Sequence, residues 1–356
     1  MSADLTEVRE ELRGVARDLL SKAGAAPDWQ LLADAGWLGL EADAAVGGSG
    51  ASFTEVAVIM EELGRIAAVS PYLGSIVLGA GALAALDPLP GRDELLADVI
   101  TGRQIVAVAL ATGDEAVTED LSPFSIEASA GRLRLRGSAA FVPDAAAADW
   151  ILLPALTASA EPVVVPVRSA RLTIEPQPVL DGTRRLARVT ADDLDVSAGP
   201  TWHPAGDPAA ALRRLADRAA LAVACDSLGL SHAMLDATVR YARQRQQFGR
   251  PIGSFQAVKH ACADMLVRLS IARELVEAAA AALAQGTSAA AAEVSMAKSY
   301  ACSAAMDVTG KAMQLHGGIG YTWESVVHVY LKRAMLNRSL FGSPAAHRRR
   351  LALRYG

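Results

Sequence analysis

Two stretches of the sequence combine residue types that suit the binding of a phosphate group or a flat aromatic ring. Residues 241–265 read YARQRQQFGRPIGSFQAVKHACADM, and residues 311–324 read KAMQLHGGIGYTWE. In the first, Arg245 offers a permanently charged guanidinium that matches phosphate geometry. In the second, Gln314 precedes a glycine-rich loop whose backbone N–H groups could lie against a phosphate or a ring. Either stretch alone is weak evidence, because helix ends often carry arginine and glycine loops are common turns.

Other kinds of site find little support in the composition. The net charge of -5 argues against a nucleic-acid partner, because binding to phosphate backbones requires a basic surface. The three cysteines, Cys225, Cys262 and Cys302, are far apart and form no CxxC pair, which predicts buried structural thiols and no metal site.

Membrane and export signals are also missing from the sequence. No uncharged apolar run approaches the roughly 18 to 20 residues that a membrane span needs. The start of the chain, MSADLTEVREELRGVARDLL, lacks the basic beginning and apolar middle of a secretory signal. We therefore expect a cytoplasmic protein without a membrane partner.

The hydrophobic period divides the 356 residues into three parts. Residues 1–104 have a helical period, with buried helices expected from Phe53 and from Leu73, and with Ser52 or Thr54 as a cap. Residues 105–200 read as a small β-domain with short strands at 105–108, 126–128, 132–136, 150–153, 163–167 and 186–189.

Residues 201–356 read as a bundle of long, alanine-rich helices with short connections. Asp207 and Pro208 form a helix start, because a capping Asp is followed by Pro at the first helical position. Further helices are expected at 254–285, 288–315 and 323–341, and Pro344 starts a final helix.

In this order, the two glycine- and arginine-containing stretches resemble the acyl-CoA dehydrogenase family. The match extends to WQLLADAGWLGL and EVAVIMEELGR within residues 29–65, so that it covers nearly the whole chain. The resemblance implies a mainly α-helical fold with a central β-barrel or β-sandwich and a C-terminal four-helix bundle.

Members of this family are flavoproteins in which a neighbouring subunit contacts the adenosine and pyrophosphate half of the FAD. On this resemblance, seven positions would hold that half of a partner's FAD: Arg245, Gln247, Phe248, Gln256, Gln314, Gly317 and Gly318. In the family a glutamate removes the α-proton of an acyl-CoA while the β-hydride passes to the flavin, which gives a trans-2-enoyl-CoA.

The sequence departs from the family where the chain's own chemistry would lie. The two positions at which members keep the glutamate correspond here to Gly342 and Ala219, and neither residue can act as a base. The segments that cradle the flavin ring correspond to residues 109–120 and 141–144, which lack the family pattern. In the second segment Pro143 replaces a threonine and supplies neither its hydroxyl nor its N–H group.

These departures suggest a non-catalytic subunit that completes the FAD site of a homologous catalytic partner, in an α2β2 complex. The resemblance implies a sterol side-chain acyl-CoA as substrate and an electron-transfer flavoprotein or similar acceptor. One alternative is a self-sufficient homotetrameric dehydrogenase with a relocated base, for which Asp144, Glu115 and Asp217 are candidates. Another is a scaffold protein without flavin, since fold does not imply function.

Overall fold

Helices occupy both ends of the chain and strands occupy the middle. The computed structural model describes residues 2–117, 121–129, 131–322 and 325–355. The predicted fold class, mainly α-helical with a central β-region, is confirmed. The exact domain boundaries stay a prediction.

The elements before the sheet are α1 (Ser2–Ala23), α2 (Trp29–Asp34), α3 (Phe53–Arg65), a π-helix (Leu73–Ala80), α4 (Gly81–Ala84) and α5 (Pro90–Ile100). Ser52 is the cap of α3: its side chain accepts a hydrogen bond within the first turn, and Glu55 bonds back to the Ser52 backbone. This capping box settles the choice between Ser52 and Thr54.

The buried helix expected from Leu73 is mostly a π-helix, a rare conformation that frequently marks functional sites. Its backbone bonds to groups outside the helix: Gly74 N donates to Oδ2 of Asp144 (3.0 Å), and Val77 O accepts from Nε of Arg218 (2.6 Å). A Cβ at Gly74 would lie 2.7 Å from Oδ2 of Asp144. The glycine therefore allows the π-helix to pack directly against the β-domain.

Seven strands form one mixed sheet, namely β1 (Val106–Val108), β2 (Phe124–Ser129), β3 (Arg132–Pro143), β4 (Trp150–Leu156), β5 (Pro162–Arg168), β6 (Thr173–Pro176) and β7 (Leu186–Asp195). Their order is β1-β4-β2-β3-β7-β6, with β5 paired to β4. The β1–β4 and β2–β4 pairs are parallel and the remaining pairs are antiparallel. The sequence left a barrel or a sandwich open, and the structure joins all seven strands into one sheet.

The C-terminal bundle contains α6 (Pro208–Gln244), the short strands β8 (Gln246–Gln247) and β9 (Arg250–Pro251), α7 (Gln256–Gln285), α8 (Ala290–His316), α9 (Val327–Ser339) and α10 (Pro344–Tyr355). Asp207 caps α6 as predicted, accepting from the N–H groups of Ala209 and Ala210. Ala219 and Ala305 are completely buried, because small side chains let the long helices approach closely. No helix in the described ranges has the length and apolarity of a membrane span.

Candidate functional site

The first stretch of interest folds into a short hairpin at the end of α6. Strands β8 and β9 pair through Gln246 with Pro251 and Gln247 with Arg250. The two residues between them, Phe248 (φ 54°) and Gly249 (φ 77°), are both left-handed, as a two-residue hairpin turn requires.

The candidate residues of this hairpin are exposed to solvent. Arg245, Gln247 and Phe248 are all exposed, and Gln256 is exposed at the start of α7. Phe248 is 91% exposed, which is unusual for a phenylalanine in a chain that buries a large core. The hairpin thus presents a guanidinium, amides and an aromatic ring outward.

The second stretch forms the end of α8 and the turn after it. Gly317 adopts φ 62°, and a 3₁₀ turn follows over Gly317–Tyr321. Gln314, Gly317 and Gly318 are exposed, so the amide side chain and the glycine backbone face solvent. Residues 323–324, at the end of this stretch, lie outside the described residues.

A ring stack joins the two stretches. Tyr241 on the last turns of α6 stacks on His316 at the end of α8, with ring centroids 4.5 Å apart. Nδ1 of His316 also lies 2.8 Å from the carbonyl oxygen of Ala312. The stack therefore brings the hairpin and the glycine turn to the same end of the bundle, where one ligand could reach both.

The exposed groups at this end of the bundle have chemistry that suits a phosphate. No ion pair joins Arg245 to any other described residue. Its exposed guanidinium can bind a phosphate by donating two parallel hydrogen bonds. Gly317 N already donates to Gln314 O, whereas the exposed backbone of Gly318 suits the same chemistry.

The loop before α10 carries no ionisable side chain at residues 341–342. Phe341 is 1% exposed and left-handed (φ 55°), and Gly342 follows at φ 93°. The loop is packed against the segment after β1: Phe341 N donates to Thr112 O, and Ser343 N donates to Oδ1 of Asp114 (2.8 Å). The second position predicted to lack the base, Ala219, is also fully buried.

Two buried basic side chains donate hydrogen bonds to backbone carbonyl oxygens of this loop and the end of α9. Nζ of Lys298 donates to the carbonyl oxygens of Asn337 (2.8 Å) and Gly342 (3.0 Å). Nε2 of His347 donates to the carbonyl oxygen of Phe341 (2.9 Å). Burial lowers the pKa of Lys298, and burial beside Lys298 lowers the pKa of His347 to about 4. The loop is thus a structural joint between helices.

The segment that would face a flavin ring in this chain has its polar groups already satisfied. Phe141 N donates to Oε1 of Gln177 (2.5 Å), and Ala140 O accepts from Oγ1 of Thr112 (3.0 Å). Pro143 has no N–H group, and the Asp144 carboxylate accepts from Gly74. Residues 118–120 lie outside the described residues. The described residues here thus offer a flavin ring neither a hydroxyl nor an N–H group at position 143.

The three acids considered as relocated bases have different surroundings. Asp144 is buried, and burial raises its pKa to about 6, but its carboxylate binds the π-helix backbone. Asp217 is buried in an ion pair with Arg350 (Nη2–Oδ2 2.9 Å). The side chain of Glu115 lies outside the described residues. Neither Asp144 nor Asp217 faces an open site with a free carboxylate.

Sequence reasoning missed a buried charged cluster where the three parts of the chain meet. Asp226 on α6 accepts from Nη2 (2.6 Å) and Nε (3.0 Å) of Arg333 on α9, and from Nδ2 of Asn337 (2.6 Å). Nη2 of Arg184, in the β-domain, lies 3.2 Å from the same carboxylate. Although burial opposes it, Arg333 and Arg184 lower the pKa of Asp226.

The cysteines are mostly as expected. Cys225 and Cys302 are buried, whereas Cys262 is partly exposed, which corrects the expectation for that residue. Cys262 lies near the start of α7, on a face that the bundle core leaves partly uncovered. Among the described residues, no group of three or more His, Cys, Asp or Glu side chains could hold a metal ion.

Replacing Gly342 with glutamate is expected to destabilise the chain without creating a base. A Cβ at Gly342 would overlap Cγ2 of Val117 and lie 2.8 Å from Nε2 of His347, and the φ of 93° strains any side chain. We expect Gly342→Glu to lower the free energy of unfolding by about 2–5 kcal/mol in denaturant titrations. Gly14→Glu, the same change at an exposed, open position inside α1, should not destabilise the chain, because glutamate is a better helix former than glycine. A variant at 342 that is stable and oxidises acyl-CoA would contradict this account.

Stability is expected to fall in mild acid because of His347. Its folded pKa of about 4 lies below the unfolded value of about 6.5, so the unfolded chain binds more protons between these values. The contribution of His347 is therefore complete above pH 6.5 and decreases by about 2 kcal/mol on going to pH 5. His347→Gln keeps an N–H group for Phe341 but cannot titrate, so its unfolding free energy should depend less on pH over this window. Parallel pH dependences for the two proteins would rule out this role.

Comparisons with known proteins agree with this architecture. The acyl-CoA dehydrogenase N-terminal domain matches residues 6–89, and the acyl-CoA dehydrogenase C-terminal domain matches residues 209–356. The chain is 32% identical to acyl-CoA dehydrogenase IpdE2 of Mycolicibacterium smegmatis, over 98% of this chain and 94% of that protein. The chain belongs to the acyl-CoA dehydrogenase family.

Two solved structures of multi-subunit relatives superpose closely. The ChsE4-ChsE5 complex from Mycobacterium tuberculosis contains a chain with a TM-score of 0.86 and 26% identity, covering 98% of each chain. A variant of the Tcur3481-Tcur3483 steroid ACAD gives a TM-score of 0.84 and 28% identity, covering 98% of this chain and 97% of that one.

Proposed function

We propose that this chain is the non-catalytic subunit of a FAD-dependent acyl-CoA dehydrogenase and completes the FAD site of a homologous catalytic partner in an α2β2 complex. The observation that carries the proposal is a contrast within one chain. The residues suited to a partner's FAD are exposed at one end of the bundle. The loop at 341–343, where relatives keep a base, is closed by the chain's own Thr112 and Asp114.

In this proposal, Arg245 binds the pyrophosphate of the partner's FAD through its guanidinium. Gln247, Gln256 and Gln314 offer amide groups to the remainder of the adenosine and pyrophosphate half. Gly317 and Gly318 have no side chain, so that half can approach their backbone closely. Phe248 covers an apolar face of the same half. When bound, FAD accepts the β-hydride of the acyl thioester. The partner supplies the base that removes the α-proton.

The substrate we propose is a sterol side-chain acyl-CoA, which becomes a trans-2-enoyl-CoA. The two similar structures support this choice, because one is described as a steroid ACAD and both contain two different named components. We propose an electron-transfer flavoprotein or a similar protein as the electron acceptor.

The test is to measure acyl-CoA oxidation by the isolated chain and by the chain co-expressed with a homologous subunit that keeps the glutamate. We expect turnover only from the co-expressed pair. Turnover by the isolated chain would favour the self-sufficient enzyme, and the residue to substitute first would be Asp144. A stable pair that never carries flavin would favour the scaffold alternative.

A further inference from the structure

The ring of Phe255 lies between two residues of the exposed hairpin. The guanidinium carbon of Arg250 lies 4.2 Å from the centroid of the Phe255 ring. The other contact is edge-to-face: the rings of Phe248 and Phe255 have centroids 6.1 Å apart and planes at 88°. We call this group of three contacting side chains, Arg250, Phe255 and Phe248, the hairpin brace.

The hairpin needs such a brace because its backbone is weakly held. The β8–β9 ribbon contains only two residue pairs, and one of them includes Pro251, which has no N–H group to donate. Phe248 is left-handed at φ 54°, a conformation that is unfavourable for a bulky side chain. Short two-stranded ribbons are at best marginally stable in water. The cation–π and aromatic contacts of the brace supply the stabilisation that the ribbon lacks.

The base of the brace is fixed to the bundle. Ile252 N donates to Arg245 O (2.8 Å), and Phe255 N donates to Ile252 O (3.1 Å). A Cβ at Gly253 would lie 3.0 Å from Ala242 O, so the turn carrying Phe255 packs tightly on α6. Phe255 is thereby a fixed platform on which Arg250 and Phe248 rest.

Arg250, within the hairpin, and Arg245, immediately before it, consequently differ in role. The guanidinium of Arg250 is stacked on Phe255. Arg245 precedes the ribbon and is fixed only through its backbone, as donor to Tyr241 O (2.8 Å) and as acceptor from Ile252. We propose that Arg250 and Phe255 are positioning residues that hold Arg245, Gln247 and Phe248 in the conformation that binds the partner's FAD. This inference rests on the proposed function and adds two residues that do not themselves touch the cofactor.

The experiment compares three variants, Arg250→Ala, Arg250→Lys and Phe255→Leu, with the wild type in two measurements. The first is hydrogen exchange of the backbone amides of residues 246–250 in the isolated chain. The second is the FAD dissociation constant of the complex with the catalytic partner. We expect exchange to accelerate about 5-fold or more in Arg250→Ala and Phe255→Leu, with FAD binding about 10-fold weaker. The turnover number at saturating FAD should be unchanged, and Arg250→Lys should recover part of both effects. Arg243→Ala, an exposed arginine on the last turn of α6 outside the brace, is the matched control.

Unchanged exchange in both Arg250→Ala and Phe255→Leu would overturn the inference. Faster exchange with unaltered FAD binding would also overturn it, because the hairpin conformation would then not matter for the cofactor. The proposed function is tested by a different measurement, which is FAD retention by the catalytic partner with and without this chain. Equal retention in the two cases would contradict the proposed function. The exchange data remain interpretable in that case, since they need only the isolated chain.

Discussion

Arg245→Ala is expected to weaken FAD binding to the assembled complex about 10- to 100-fold. The estimate follows from the loss of a charge-assisted hydrogen bond to a phosphate, which contributes about 1.5–3 kcal/mol. Arg245 is exposed, and its backbone contacts with Tyr241 and Ile252 do not depend on the side chain. The isolated variant should therefore unfold within about 0.5 kcal/mol of the wild type. FAD retention after dilution, measured by flavin absorbance, is the readout.

The matched control for Arg245 is Arg243, two residues earlier and also exposed. Arg243→Ala removes the same charge from the same end of the bundle, so it reports any general electrostatic effect on an anionic cofactor. We expect it to change FAD affinity less than about 3-fold, which is typical for a screened surface charge. Equal losses from the two substitutions would mean that Arg245 makes no specific contact.

Asp226→Ala is expected to lower the free energy of unfolding by about 3–5 kcal/mol. The carboxylate forms ion pairs with both Arg333 and Arg184, and all three charged groups are almost fully buried. Removing it takes away the acid that contacts both buried guanidinium groups and leaves only the charges of Asp181 and Asp144, with which neither arginine forms an ion pair, to offset them. Nη1 of Arg333 also donates to Ala68 O (2.7 Å) and to Oγ1 of Thr183 (3.0 Å), so the loss would loosen contacts to the first helices and the β-domain.

The control for this cluster is an exposed pair of the same composition. Asp307 lies 2.9 Å (Oδ2–Nη1) from Arg268, with both side chains about half exposed. Asp307→Ala should cost no more than about 1 kcal/mol, because solvent screens exposed pairs. Denaturant titrations measure the free energy of unfolding of both variants. Similar decreases would show that the buried cluster contributes no more to stability than an exposed ion pair.

The helices in the first and last parts of the chain could be predicted from local sequence signals. The Asp207-Pro208 start acts as predicted. The helix predicted over 254–285 ends at Gln285, where Gly286 is left-handed at φ 63°. Six predicted strand stretches coincide with β1–β5 and β7. Strand β6 was missed because it is short and mostly exposed and ends in proline, so it shows no apolar alternation.

The buried polar groups of the bundle were not predicted. Lysine is rarely buried, and nothing in the sequence around Lys298 indicates that its ammonium group would donate to one carbonyl oxygen of α9 and one of the following loop. Asp226 did leave a signal: it stands on the same face of α6 as Ala219, Ala222 and Leu230, all fully buried. An acid on such a face calls for a buried cation, and the partner, Arg333, lies 107 residues away in sequence.

The candidate site was only partly predictable for a similar reason. The residue types of the hairpin and the glycine turn are visible in the sequence, and the family resemblance implies that they contact a partner's FAD. The contact of Tyr241 with His316, which brings the two together, depends on how α6 and α8 pack. The hairpin brace joins Arg250 to Phe255 across a turn that has no helical or strand period, so no spacing rule points to it.

The most direct test of the central claim is the flavin content of the chain alone and in complex. FAD should be absent from the purified, folded chain even after incubation with excess cofactor. The complex with the catalytic partner should contain one FAD for each pair of unlike chains, and Arg245→Ala should reduce that content. Stoichiometric FAD in the isolated chain, bound with unchanged affinity in Arg245→Ala, would contradict the claim that this subunit completes another subunit's site.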